Sequence, residues 1–436
     1  MLDACGAKSI DEIFNDQIPA ELQFKSSHGL PPALSELELQ RELTALAGRN
    51  VPTTDKISFL GGGIYDHYVP TSIMHVANRQ EYVTGYTPYQ PEASQGLLQA
   101  FFEYQTMISR LYEMPVSNAS LYDGASALGE SLFMALSIKP DRNKVIIGAG
   151  VHPDYRALAK TYLTNFDAEI IECPMSNGGF DLEALDEYLG TDTAAVVLQH
   201  PNYFGCLEQT QEISRRAKHA GALLISIADP LSLGVLAPPG SYGAEIAIGE
   251  GQPLGLNQFV GGETIGIFTC ALEHIRKVPG RLVGTAPDKE NRRGFVLTLQ
   301  TREQHIRRAK ATSNICTNHA HNALRATIYL CLMGPTGLAQ VAKACVRNLE
   351  RFRKSVRAIK AEALPHDRPH FRETVVRCNK PAAQVRDTLL AKGFYAGIPL
   401  SESLGAGFER DLLVAITEKR SDADIDQFVN VLKEHL

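Results

Sequence analysis

Short apolar runs alternate with stretches of helical apolar spacing through the middle of this chain. NASLYD, KVIIG, AEIIEC, AAVVLQH and LLISIAD read as strands, and GASALGESLFMALSI, PDYRALAKTYLTNF, DLEALDEYL and EQTQEISRRAKHAGA read as the helices between them. This alternation predicts a largely parallel sheet with helices on both faces. Residues 223–269 supply three buried strands, LLISIAD, AEIAIG and TIGIFT, joined by the turn-rich LAPPGSYG and the loop GEGQPLGLNQFVGG. A ligand of such a sheet lies in the crevice beyond the carboxyl ends of the strands. The residues that the pattern places there are Asp123, Gly124, Ala125 and Ser126, then His152, the tetrad 200–203, and Asp229.

On either side the pattern changes. Residues 1–57 read as an N-terminal arm of short helices, with Ser9 and Ser35 as N-caps, Glu12 and Glu38 three residues on, and a stop at Gly48. Helices this short need their apolar stripes buried on something else. Residues 57–95 are rich in Gly, Pro and Tyr, the composition of a surface loop that carries function or of an ordered connection filled by tyrosines. Ser94 is placed as the cap of a long amphipathic helix closed by Pro115. Past the sheet, apolar spacing turns helical from about Arg302. A long helix over 337–360 then leads to the strand ETVVRC, the helix AAQVRDTLLAKG, the strand LLVAIT and a last helix from Ser421. The expected division is an arm (1–57), a large α/β domain (58–325) and a small C-terminal α/β domain (326–436).

Composition narrows the function. With 436 residues, 44% hydrophobic and 21% charged, the chain is long enough for more than one domain and ordinary for a globular protein. A net charge of -6 gives no reason to expect nucleic acid or a lipid surface as a partner. The basic run 292–310 reads as a solvated helix face. The eight cysteines never approach CxxC spacing, which fits free buried thiols in a reducing cytoplasm. No stretch has signal-peptide or membrane-span character.

The candidate chemistry sits at the strand ends. The turn at Asp123 to a helix could hold a phosphate on unpaired N–H groups, or could be a plain helix start. His152 could stack on a flat ring, or be a satisfied structural histidine. Asp229, before Pro230, has the same two readings, though three such residues at successive strand ends favour a site. Metal binding is disfavoured: Pro369 separates His366 from His370, and His319 and His321 could sit near the crevice but read more simply as exposed on a helix. No P-loop, GxSxG or GxGxxG motif occurs.

The layout of 223–269 resembles the pyridoxal-phosphate (PLP) site of the aminotransferase-like fold. There an aspartate pairs with the pyridine nitrogen and a lysine one strand later forms the Schiff base. Asp229 takes the first place, but no lysine occurs between Lys218 and Lys277, and Gln252 stands near the second. A glutamine amide is too weak a nucleophile to form an imine.

EYVTGYTPYQPEASQG, FEYQTMISRLYEM, NASLYDGASALGES, VHPDYR, ADPLSLG, KVPGRLVG and GFVLTLQTREQHIRRAKATSNICTN, with IDEIFNDQIP and FLGGGIYDHYVP, closely resemble the glycine cleavage system P-proteins in their two-subunit form, on the side of subunit 1. The resemblance implies a large PLP-dependent transferase-like domain without the cofactor. PLP and its lysine would belong to subunit 2 in an α2β2 assembly, which decarboxylates glycine, releases CO2 and passes the aminomethyl group to the lipoyl arm of the H-protein. Asp123, Gly124, Ala125, Ser126, His152 and Asp229 would then be a vestigial PLP cup, and no catalytic residue would belong to this chain alone. The loop 86–90 resembles the segment that reaches a neighbour's cofactor in this fold, which makes Tyr86 and Tyr89 contributors to the partner's site. The chain departs from the family at Gly261, Gly262 and Glu263, where GGP is usual, at 61–63, and in the charged His319, His321 and Arg325, and these changes bear on partner fit. Two other readings stay open: an independent PLP enzyme using Lys289 or Lys310, and a regulatory or binding protein that kept only the fold.

Overall fold

Continuous apolar runs can be buried on both faces, and that is how the central strands are used. The computed structural model describes residues 1–24, 26, 29–83 and 85–436. They form two compact units, Met1–Pro52 and Thr53–Leu436. In the second unit, strands β1 (Val116–Ser117), β2 (Lys144–Gly148), β3 (Glu169–Cys173), β4 (Thr193–His200), β5 (Leu223–Ala228), β6 (Ile246–Glu250) and β7 (Gly266–Cys270) lie in one sheet in the order β1-β7-β6-β5-β4-β2-β3. Strands β3, β2, β4, β5 and β6 are mutually parallel, and β7 runs antiparallel to β6 and to β1. Every residue of β5 and β7 is buried. One face packs on the helices Gly124–Ile138 and Pro153–Leu163, the other on Gln95–Tyr112 and part of the long helix Ala320–Ile359.

The C-terminal part is built from both ends of the second unit. Ile57–Ser58 pairs in parallel with Phe394–Tyr395, and Glu373–Arg377, Asp411–Ala415 and Ile398–Pro399 form a separate antiparallel sheet. Phe59 stacks on Phe428 at 4.0 Å between ring centroids, and Phe352 and Phe394 complete the cluster. The helix Ala320–Ile359 crosses the expected boundary at 325 without a break there and kinks further on, at Gly334 with Pro335 behind it.

Several sequence expectations change in detail. NASLYD forms only an isolated bridge, Leu121 to Gly266, because the paired strand is Val116–Ser117 just before it. No long helix starts near Arg302. Short turns run up to Lys310, and the Arg302 guanidinium is turned inward onto the carbonyls of Val278 and Gly280. The basic run 292–310 belongs to a two-stranded ribbon and these turns, so it is no helix face. Ser94 is an N-cap by position, yet its side chain makes no cap bond. In the arm, Ser9 and Ser35 do cap Ile10–Gln17 and Glu36–Ala47, and no residue of either helix is buried. Cys173, Cys206, Cys270, Cys345 and Cys378 are buried free thiols, whereas Cys5, Cys316 and Cys331 are exposed. Among the described residues no helix is long and apolar enough to cross a membrane.

The Phe cluster joins two distant segments around one ring. Phe428→Ala should therefore lower the unfolding free energy by about 3–5 kcal/mol, read as a lower urea midpoint with the slope unchanged.

Candidate functional site

The strand ends meet as the pattern predicts. His152 starts the helix after β2, Asp229 follows β5 directly, Glu250 ends β6, and Gln252 lies two residues further. Residues of β2 to β6 all end on one side because these strands are parallel. What fills the crevice comes from elsewhere in the chain.

Arg372, 1% exposed, enters from the C-terminal part and forms an ion pair with Asp229. Its guanidinium lies 3.4 Å from the centroid of the Tyr65 ring, a cation over an aromatic face. Its Nη1 donates to Nε2 of His67 (2.5 Å), and His67 Nδ1 donates to Glu418 Oε2 (2.6 Å). A guanidinium only donates, so Nε2 must be the acceptor and the ring proton sits on Nδ1. Burial holds His67 below its ordinary pKa. Burial pushes Glu418 up, but its bonds to His67 and to the Tyr68 N–H (2.7 Å) hold it well below the usual carboxylate range. The line runs carboxylate, imidazole, guanidinium, carboxylate, with donor facing acceptor throughout. Cys345 lies near this His67 and Glu418 pair, all within 4.8 Å. A metal on Nδ1 would move the ring proton to Nε2 and set it against the Arg372 donor, so the trio suits hydrogen bonding better than coordination.

The helix N-terminus is also occupied from within. Asp123 Oδ1 accepts from the N–H and the hydroxyl of Ser126, both at 2.6 Å, and Glu250 Oε2 accepts from the Gly124 N–H at 3.0 Å. Glu250 Oε1 takes the N–H groups of Gln252 (2.9 Å) and Ile265 (3.0 Å). Burial nevertheless raises the Glu250 carboxyl to about 8. A Cβ on Gly124 would meet the Tyr155 hydroxyl at 2.2 Å, so this turn has no spare room. Ala125 follows in the first turn, half-buried.

His152 and Gln252 are committed too. His152 Nε2 donates to the Gly62 carbonyl (2.8 Å), Nδ1 accepts from Asp154 N–H (3.1 Å), and the ring meets Tyr203 edge-on at 4.7 Å. Gln252, 1% exposed, accepts from Tyr65 N–H (3.0 Å) and donates to the carbonyls of Tyr65 (3.1 Å) and Leu256 (2.9 Å). The Tyr65 hydroxyl donates to Glu373 (2.7 Å), which also accepts from Gly62 N–H (2.7 Å). The remaining cavity, lined by Tyr65, His152, Asp229, Glu250 and Arg372, is about 50 Å³. That volume suits one or two water molecules at ~30 Å³ each.

These residues do not fit PLP. The aspartate expected to face a pyridine nitrogen faces Arg372, the helix N-terminus expected to hold a phosphate holds two carboxyl groups, and the histidine expected to stack on a ligand packs on Tyr203. Lys289 sits in the exposed turn of the ribbon and Lys310 among exposed turns, and neither lines the crevice. Tyr86 and Tyr89 lie apart from it, 83% and 51% exposed. Tyr86 lines a separate open cleft of about 670 Å³ with Tyr82, Leu97, His319 and His321.

Sequence reasoning missed Arg372, Tyr65, His67, Glu250 and Glu418. Glu250 alone had a signal, as an acidic residue at a strand end. The residues that raised doubt about partner fit find mates inside the chain. Glu263 pairs with Arg325 at 2.6 Å, His319 bonds the Thr264 carbonyl at 2.6 Å, and His321 the Ala77 carbonyl at 3.1 Å. His319 and His321 are half-buried, so the expectation of exposure on a helix is corrected.

The family model described as "Glycine cleavage system P-protein" matches residues 1–432. The chain is 46% identical over 434 residues to the "Probable glycine dehydrogenase (decarboxylating) subunit 1" of Chloroherpeton thalassium, covering 100% of this chain and 97% of that one. A crystal structure of glycine decarboxylase (P-protein) of the glycine cleavage system, in inhibitor-bound form, superposes with a TM-score of 0.91 at 41% identity, covering 100% of this chain and 97% of the other. The alanine–glyoxylate aminotransferase of Nostoc sp. shares the fold alone, with a TM-score of 0.62 at 16% identity over 94% of this chain and 99% of its own.

The buried Glu250 carboxyl makes stability depend on pH. An unfolded glutamate loses its proton near pH ~4.3, whereas Glu250 keeps its own up to about 8. Between the two the folded chain holds the extra proton, so stability falls as pH rises, by up to about 1.4 kcal/mol per unit. Glu250→Gln removes this slope. Urea unfolding at about pH 5.5 and about pH 8.5 should show the difference between variant and parent moving in the variant's favour at the higher pH.

Proposed function

The chain belongs to the glycine cleavage system P-protein family, as subunit 1 of glycine dehydrogenase (decarboxylating), EC 1.4.4.2, and from that premise we propose that it is the subunit without cofactor of a two-subunit enzyme. The observation that carries this reading is the crevice closed by its own side chains. Gln252 supplies no amine, Asp229 is spent on Arg372, and Glu250 and Asp123 hold the helix N-terminus. PLP, with the Schiff-base lysine, belongs to subunit 2 in an α2β2 assembly, where it supplies the electron sink for loss of CO2 from glycine. The aminomethyl group leaves on the lipoyl arm of the H-protein. Buried free thiols support a reducing, cytoplasmic setting.

This chain contributes folded mass, an interface and part of the wall of the partner's site. The loop 86–90 is the best placed segment for the last role, because Tyr86 lines an open cleft and both Tyr86 and Tyr89 are exposed away from the closed crevice. The two helices of the arm, with no buried residue of their own, support a further surface that a partner covers.

Borohydride reduction after mixing with PLP tests the cofactor assignment. This chain alone should carry no reduced label, and with subunit 2 present the label should map to a lysine of the partner. A label on any lysine here would instead favour an independent PLP enzyme. Replacing Tyr86 and Tyr89 together by Phe should slow glycine decarboxylation by about tenfold, the scale of one lost hydrogen bond, while the complex still elutes intact. Unchanged turnover would remove the loop from the site.

A further inference from the structure

Arg281 immediately precedes the ribbon strand Leu282–Pro287 and is 2% exposed. Every hydrogen bond of its guanidinium goes to a neutral oxygen. Nη2 donates to Thr87 Oγ1 (3.2 Å) and to the Cys316 carbonyl (2.6 Å), and Nη1 to Thr317 Oγ1 (3.3 Å) and Asn318 Oδ1 (3.2 Å). Its Nε has no partner, and its carbon lies 5.7 Å from the centroid of the Tyr89 ring. No carboxylate hydrogen-bonds to this buried cation, and the acidic group that feels its charge is the buried Glu303; desolvating the guanidinium still costs free energy that a neutral side chain of similar volume would not. What the guanidinium adds is a rigid fork that holds two segments at a fixed separation.

One of those segments is the tyrosine loop. Among the described residues, the side-chain hydrogen bond that enters residues 85–89 is the one from Arg281 to Thr87. The other contacts of the loop are weak or local: Tyr89 N–H to the Thr87 carbonyl (2.9 Å) and the Tyr89 ring 5.9 Å from that of His305. Gly85 has open space around it. The other segment is anchored to the sheet, since Asn318 donates to the Ala119 carbonyl (2.8 Å) and to Ser120 Oγ (3.2 Å), while Ala119 N–H donates to the Arg281 carbonyl (2.9 Å).

We propose that Arg281 is a positioning residue for glycine decarboxylation: its guanidinium fixes the loop between Tyr86 and Tyr89 in the pose in which the loop faces the partner subunit's site. The proposal rests on the reading of that loop given above. Arg281 acts through Thr87 and Tyr89 and touches no substrate.

The test uses the complex of this chain with subunit 2. Arg281→Gln should lower kcat about tenfold while KM for glycine stays within about twofold. Arg281→Lys keeps the charge, loses the fork and should fall nearly as far. Thr87→Val removes the loop's acceptor and leaves the buried cation its bonds to Cys316, Thr317 and Asn318, and should lower kcat about threefold in an assembled, folded complex. It keeps the question answerable if the Arg281 variants do not assemble. Combining Arg281→Gln with the double Phe replacement of Tyr86 and Tyr89 should give no loss beyond the larger single effect. Wild-type kcat in Arg281→Lys and Thr87→Val, beside a slow tyrosine variant, overturns the proposal and leaves the loop reading standing. Losses that multiply in the combined variant also overturn it. A tyrosine variant at full rate removes the loop reading first, and the proposal with it.

Discussion

Arg372 brings a full positive charge into the interior, where it is 1% exposed, and the crevice is arranged around that charge. Asp229 comes from the end of a sheet strand, Tyr65 and His67 from the connection that follows the arm, and Glu418 from the turn after the last long strand. A buried ion pair contributes little net stability, because desolvation offsets most of the attraction, yet removing one member is severe. The set therefore acts less as glue than as a constraint: the C-terminal part can sit on the sheet in the one arrangement that keeps every donor opposite an acceptor. Domain movements of the kind that open and close a substrate cleft would have to break this line.

The missing lysine between Lys218 and Lys277 and the filled crevice are separate obstacles to holding PLP. The carboxyl group of Glu250 is part of the chain, so it meets the helix N-terminus without the entropic cost of capturing a free ligand. A phosphate would have to displace it, and a pyridine ring would have to displace Arg372 as well. Returning a lysine to position 252 would restore a nucleophile and leave both obstacles in place. The role without cofactor proposed above would thus rest on packing as well as on chemistry.

The sheet and the strand-end residues could be read from the sequence because both follow from local periodicity. His152 and Asp229 sit beyond the strands that predicted them, and Asp123 starts its helix although NASLYD before it forms only a bridge. Arg372 could not be found that way: it lies 143 residues beyond Asp229 in an irregular stretch, and only closure of the C-terminal part brings the two together. Tyr65 and His67 fell in a loop whose composition announced a role without saying which. The helix expected near Arg302 failed for a related reason, since the apolar spacing is helical but the Arg302 side chain is drawn inward by carbonyls from another segment. Glu263 and Arg325 looked like surface charges that needed a partner's help, and each was the other's partner.

The parallel pairing of Ile57–Ser58 with Phe394–Tyr395 has a consequence for biosynthesis. The segment leaves the ribosome long before the strand beside it, 337 residues further on, and before the Phe428 ring that Phe59 stacks on, 369 residues further on. Until then an apolar stretch has no place to go, and the sheet between must form around an unfinished neighbour. Long-range closure of this kind folds slowly and leaves partly built states open to association. The nascent chain stays vulnerable until Phe428 has appeared, and a cut before that residue would leave Phe59 without the ring it stacks on.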